Sequence, residues 1–411
     1  MNARTCRRTA AALIAALLGA ASASAQQPYL FELIADTRSG FTDLSLAPSI
    51  NANGAVAFRA ESAGGGSGIF VGGNGGAPTA IVNNAAGSQF LNFGISDPRI
   101  NASGAVTFFA NRTDGSSGIF LRSGGIVSTI ADTNGSFAAG QTFAQFGGPS
   151  INNAGTVAFS ASSSTGQLGV FTGTAGGAPS RVSPGTAFAA VASQVFINGN
   201  AGLAVVGMNA AGETQVLTGA AGGAFSVAAT TASPLFSSIE LAAPFLTNDG
   251  LAVVFVATRE DTGVNGIFRL AGGTITTLVD SSGGFQDFRD IALTSDGSLL
   301  AFSAVTDDNR VGIFNGSDPL LNKVIASGDF LPAAGLLRQV DSVSLGEAGL
   351  NDNGQIAFYA TFSDALPGDP GFAAIYRATA IPEPGVSAFL LMGGAALLIP
   401  LRKRIQNLLT K

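Results

Sequence analysis

The chain has 411 residues, including 56 Gly and 30 Phe, with one Cys, no His and no Trp, and only 11% of it is charged. Seven of its 20 basic residues lie in the two ends, leaving residues 26–384 with 13 basic against 26 acidic side chains, a net −13 that opposes nucleic acid and anionic lipid as partners. With its single thiol at Cys6 and no imidazole, the body cannot hold a nucleophile–histidine pair, a Cys/His zinc site or a disulfide.

Residues 1–25 read as a secretory signal peptide. Arg4, Arg7 and Arg8 precede an apolar run from Ala10 to Ala21, and Ala23-Ser24-Ala25 follows, so cleavage is expected between Ala25 and Gln26. The run is too short to span a bilayer. Arg7-Arg8 lacks the apolar residues that directly follow a twin-arginine pair, so export of an unfolded chain through a translocon is expected. Cys6 precedes the apolar run, is badly placed for lipid attachment and leaves with the leader.

Residues 26–380 repeat. Aligned on a turn glycine, the units begin at Gly54, Gly104, Gly155, Gly202, Gly250, Gly297 and Gly354, at intervals of 50, 51, 47, 48, 47 and 57 residues. An alternating strand such as "AVAFRA" follows each glycine, then a second such as "GIFV", then a third such as "TITTLVD" after a Gly-rich turn. A further extended stretch, such as "LSLAPSI", precedes the next turn. Four short antiparallel strands per unit predict an all-β fold, a seven-bladed β-propeller of four-stranded blades, over a solenoid or paired β-domains. The last unit lacks its third strand, and "FELIADT" at Phe31–Thr37 matches "VSTIADT" at Val127–Thr133. The N-terminal strand is therefore expected to close the ring beside Ala374–Arg377 and remove both sheet edges.

"INANGAVAF" at Ile50–Phe58 recurs at Ile100–Phe108, Ile151–Phe159 and, as "LNDNGQIAF", at Leu350–Phe358. Its Asn-x-x-Gly reads as turn chemistry. Asn51, Asn101, Asn152 and Asn351 cap their own backbone, and Gly54, Gly104, Gly155 and Gly354 take a positive φ. Thr247 and Thr294 replace the Asn in units five and six, where a hydroxyl does the same more weakly. Phe58, Phe108, Phe159, Phe255, Phe302 and Phe358 are expected to point inward and pack blade on blade. The body resembles a family of bacterial exported proteins with tandem NxxGxxAF repeats and variable C-terminal anchors. Units one, two, three and seven match fully, and unit four ("INGNAGLAVV") departs, with one extra residue and no Phe. The resemblance implies no activity.

Chemistry is sparse in the repeats. No phosphate-binding or dinucleotide fingerprint appears, because the glycines sit in hairpin turns. Lys323, the body's only Lys, reads as an ordinary strand residue. Glu260-Asp261, Asp307-Asp308 and the Asp287/Asp290 pair could act as paired carboxylates, against the plainer reading of solvated loop charge. Asp132, Asp280 and Asp287 are calcium candidates in Gly-rich loops without EF-hand spacing; otherwise no cofactor or metal site is expected. Phe90/Phe93, Phe143/Phe146 and Phe285/Phe288 recur at one position, as core filling or as an adhesive rim. Platforms with a polar tip are limited to three Tyr.

Residues 381–404 close the chain with Pro382-Glu383-Pro384, 17 uncharged residues (385–401) and Arg402-Lys403-Arg404. A helix over 385–401 would be about 25 Å long, close to a membrane span, and the basic end would stay cytoplasmic. This order resembles the PEP-CTERM sorting signal of Gram-negative bacteria, with Ile381 in place of the usual Val. The resemblance implies an exosortase partner and removal of the tail, with transient anchoring in the inner membrane and delivery to the cell surface or exopolysaccharide matrix. The expected function is non-catalytic binding or support there, with surface polysaccharide or a matrix component as ligand. An extracellular hydrolase or lyase using loop carboxylates, and a calcium-stabilised adhesion module, are the alternatives.

Overall fold

The computed structural model describes residues 26–382, apart from 74, 95, 139, 183–187, 334 and 364–371. The leader through Ala25, and Glu383 onward with the apolar segment 385–401 and Arg402, Lys403 and Arg404, lie outside the described residues. So no helix is placed at the C-terminus, and among the described residues no helix is long and apolar enough to cross a membrane.

Seven antiparallel sheets follow one another along the chain. In blade two, for example, Val106–Arg112 pairs with Ser117–Ser123, which pairs with the outermost strand Ile126–Asp132. The innermost strand is divided. Phe90–Asn92 and Arg99–Ile100 both pair with Val106–Arg112, so the blade has five strands where four were expected. Blades one to five share this break. Pro48, Pro98, Pro149 and Pro244 lie just ahead of the second piece in blades one, two, three and five, where a missing N–H cannot continue the ladder. Blade six keeps four strands, its inner strand Phe285–Leu293 running through two bulges.

The ring closes through the N-terminal strand, as expected. Tyr29–Asp36 pairs antiparallel with Phe372–Ala380, with Glu32 opposite Arg377 and Asp36 opposite Ala374. Arg377 holds the join. It ion-pairs with Glu32, and its Nη1 donates to the carbonyls of Gly54 and Gly73 in blade one.

Aromatic packing fills the blades. Phe58, Phe108, Phe159, Phe302 and Phe358 are fully buried and Phe255 nearly so. Phe108 stacks on Phe120 (5.8 Å), and Phe90 meets Phe120 edge-on at 5.1 Å, an arrangement aromatic quadrupoles favour. The same trio recurs as Phe159, Phe171 and Phe143. Ala55, Ala57, Ile69 and Val82 of blade one pack in the same cluster as Phe93, Phe108 and Phe120 of blade two. Phe90, Phe93, Phe143, Phe285 and Phe288 are buried and Phe146 half-buried, so these pairs fill the core and form no adhesive rim.

The Asn turns do two jobs. Asn51 Oδ1 accepts from the N–H groups of Asn53 and Ala55, while its Nδ2 donates across to the Asn101 carbonyl of blade two (3.1 Å). Asn101 does the same toward Asn152 (3.0 Å), Asn198 toward Thr247 (2.8 Å), and Asn351 closes the circle onto Asn51 (2.8 Å). Blade four corrects the repeat alignment. Asn198 opens a turn of ordinary length, Ala201 takes the left-handed position at φ 62°, and Gly202 begins the next strand. Val205 then occupies the Phe position and pairs with Leu217. In blades five and six the turn is one residue longer. Thr247 Oγ1 accepts from Ala252 N and donates to Asp249, which caps Leu251 N; Thr294 and Asp296 repeat this. The Thr is therefore half of a Thr–Asp pair that replaces the Asn.

Candidate functional site

The Asn turns surround the propeller axis, and a cavity of about 210 Å³ opens between them. Its mouth is set by the residues just after the turn Asn or Thr, among them Ala52, Ala102, Asn153, Gly199, Asn248, Ser295 and Asp352. Deeper in, the residue two places before the turn faces the axis from several blades: Arg99, Ser150, Phe196 and Phe245. Four places before the turn come Gln194, Ala243 and Glu347.

Arg99 crosses the axis. Its side chain keeps 5% of its surface accessible, and one nitrogen, Nη2, donates to Glu347 Oε2 and to Gln194 Oε1, both at 2.8 Å. One guanidinium from blade two thus ties blades four and seven together and floors the cavity. Asp97 and Asp290 occupy the same repeat position as Gln194 and Glu347, and both feel the Arg99 charge. Burial raises the pKa of Asp97, of Asp290 and of Glu347, and Arg99 opposes this in all three. Glu347 keeps 23% of its side-chain surface accessible, but this faces an axial cavity enclosed by seven blades, so desolvation still dominates.

One wall lacks partners. Arg99 Nη1, Ser150 Oγ and Asn152 Nδ2 are buried with no hydrogen-bond partner, and all three residues line the cavity. Asn152 is the turn Asn whose side chain finds no carbonyl on the next blade. Blades three and four are joined lower down, by Gly148 N–H to the Ser193 carbonyl at 2.7 Å. Phe196 and Phe245 form an apolar wall, their ring centroids 4.3 Å apart.

The carboxylates singled out in the sequence do not assemble as pairs. Glu260, Asp261, Asp287, Asp307 and Asp308 are exposed, with Asp261 held by Arg259 and Asp287 by Arg289. Asp290 parts from Asp287 and turns to the axis. Asp132 is engaged by Arg112 (2.9 Å) and by Gly135 N, and Asp280 caps Ser282. No group of three His, Cys, Asp or Glu able to hold a metal occurs among the described residues. Lys323 pairs with Asp329. Gln26 is exposed, its side chain donating to the Lys323 carbonyl, and Pro382 is exposed at the last described position. Arg99, Asp97, Gln194 and Glu347 were not anticipated. For Asp97, Gln194 and Glu347 the signal was a column: four places before the turn, these three and Asp290 are polar or charged where the other blades carry Ala or Gly, whereas Arg99 stands alone in a mixed column two places before the turn.

Seven sheets closed about an axial funnel define the protein as a seven-bladed β-propeller. The chain belongs to a family of unknown function (DUF7453), whose profile matches residues 35–388. No curated protein matches it in sequence. Among solved structures it is similar to an oligogalacturonate lyase in complex with manganese, at 12% identity and TM-score 0.51, covering 87% of this chain and 99% of that one. A Vibrio parahaemolyticus oligogalacturonate lyase matches equally (12%, TM-score 0.50, 87% and 99%). A prolyl endopeptidase structure matches at 11% and TM-score 0.50, covering 84% of this chain and 52% of that one. At such identities the likeness shows the fold alone.

Proposed function

We propose that this is an exported binding propeller of the cell surface or exopolysaccharide matrix, delivered by its PEP-CTERM-like tail and engaging its ligand in the axial funnel. The observation carrying the binding reading is the funnel itself. It is a small concavity with an apolar aromatic wall and a few converging polar groups, the usual make-up of a ligand site. The delivery reading rests on residues 1–25 and 381–404. Cleavage would free the body, with translocon and exosortase as its transient partners.

Two measurements test it. Mass spectrometry of protein recovered from the cell surface is expected to find a C-terminus near Pro384, and an intact Lys411 there overturns the sorting reading. Purified protein is expected to be retained on exopolysaccharide from the producing cells, and failure to be retained counts against matrix binding.

A second reading, a polymer-cleaving hydrolase or lyase, draws on Glu347, a carboxyl with raised pKa in a cavity and thus of the type that serves as a general acid. New reducing ends released from that exopolysaccharide, and lost in Glu347→Gln, would favour it.

A further inference from the structure

We infer that the funnel takes a neutral polyhydroxylated group of monosaccharide size, inserted end-on from the turn face, with Ser150, Asn152 and the free nitrogen of Arg99 as its polar contacts. This deepens the binding reading above and rests on it.

The volume comes first. About 210 Å³ is below the range of sites for drug-sized ligands, so one ring-sized group fits and a longer chain would extend out of the mouth. Charge comes second. Arg99 is already paired with Glu347, and Asp97 and Asp290 crowd the same guanidinium. Arg59 and Arg289 add charge beside Asp97 and Asp290, so each cation near the axis already faces a carboxylate and none is left over for an incoming carboxylate or phosphate.

Hydrogen-bond capacity comes third. Arg99 Nη1 and Asn152 Nδ2 can only donate, and Ser150 Oγ can do either; all are buried and lack a partner, and meeting a ligand takes a turn of each side chain toward the cavity its residue lines. Leaving such groups unmet is costly, so the site is built for oxygen acceptors on that wall. Glu347 and Asp352 line the cavity as acceptors for hydroxyl donors. The Phe196–Phe245 wall suits the C–H face of a ring. A hydroxylated ring supplies acceptors, donors and an apolar face together. Neither a hydrocarbon nor an anion does.

Saturation-transfer NMR on purified full-length protein, with methyl glycosides of glucose, galactose and mannose and with glucuronate, tests this. At least one neutral glycoside is expected to bind more tightly than glucuronate, and Ser150→Ala is expected to weaken it roughly fivefold, the loss of one hydrogen bond. Ser150 Oγ has no partner in the fold, so this variant is expected to keep the wild-type melting temperature. Absence of any glycoside signal, tighter binding of glucuronate, or unchanged affinity in Ser150→Ala overturns the inference. If wild type and Ser150→Ala are both retained on exopolysaccharide while no glycoside binds, the axial ligand falls and surface binding stands. If a glycoside binds and Ser150→Ala weakens it, but exopolysaccharide does not retain the protein, the funnel chemistry stands and matrix binding falls.

Discussion

Ala201 holds φ 62°, the left-handed conformation that Gly supplies in the other six turns. An L side chain there costs about 1 kcal/mol, partly offset by the greater freedom Gly brings to the unfolded chain. Ala201→Gly is therefore expected to stabilise by up to about 1 kcal/mol in urea denaturation. The reverse changes should separate by surroundings. At Gly104 a Cβ meets open space, whereas at Gly54 it would run into Arg377, so Gly54→Ala should cost more than Gly104→Ala; equal losses would refute this. The axial carboxyls give a pH signature. Because burial raises the pKa of Asp97, Asp290 and Glu347, the native state holds their protons more tightly than the unfolded chain does. Their contribution is complete below the ordinary carboxylate pKa of about 4 and is lost as pH rises through their native values. The melting temperature should fall across that window, and Asp290→Asn should flatten the fall; a rise would contradict the assignment. Asp296 runs the other way. Held at about 2 by Thr294 and Ser298, it contributes above the ordinary range and loses this as pH falls. Sequence showed the turn role of each Asn and Gly, because that chemistry is local. It misplaced Gly202, because glycine identity was followed where spacing from Asn198 decides. Of the axial cluster it singled out only Asp290, and paired it with Asp287; the other members are far apart in the chain and unremarkable one at a time.

At four of the seven blade junctions the side-chain amide of one turn Asn donates to the backbone of the next turn, so the hairpin motif is also a fastener of the ring. Asn101→Asp keeps the oxygen that caps Ser103 and Ala105 but removes the donor to Asn152 and buries a carboxylate against a carbonyl. Asn152→Asp buries the same charge without breaking a bond between blades, since its Nδ2 has no acceptor. Asn101→Asp should therefore be the more destabilising by about 1 kcal/mol in urea denaturation, and an equal loss at both sites would refute the fastening role. Blade number and strand order were legible from the spacing of units. The divided inner strand was not. Proline was visible three residues before the turn in four blades, yet its effect depends on that strand lying innermost, which periodicity does not reveal.

At the scale of the whole molecule, the closed ring leaves no blade without a neighbour. Deleting residues 29–36 strips the outer strand from blade seven and uncovers the edge of Phe372–Ala380. Such a chain is expected to self-associate in size-exclusion chromatography, and a monodisperse monomer would show that the closing strand is dispensable. Closure was readable from the chain's two ends, because "FELIADT" is a displaced copy of an internal strand. The same arrangement orders events in time. Glu32 and Arg377 are 345 residues apart, so the first stretch of the body to leave the ribosome has no partner until almost the last is made. A nascent chain carrying six blades still has its two ends unjoined. The finished shape thus becomes available only after nearly the whole body has been synthesised.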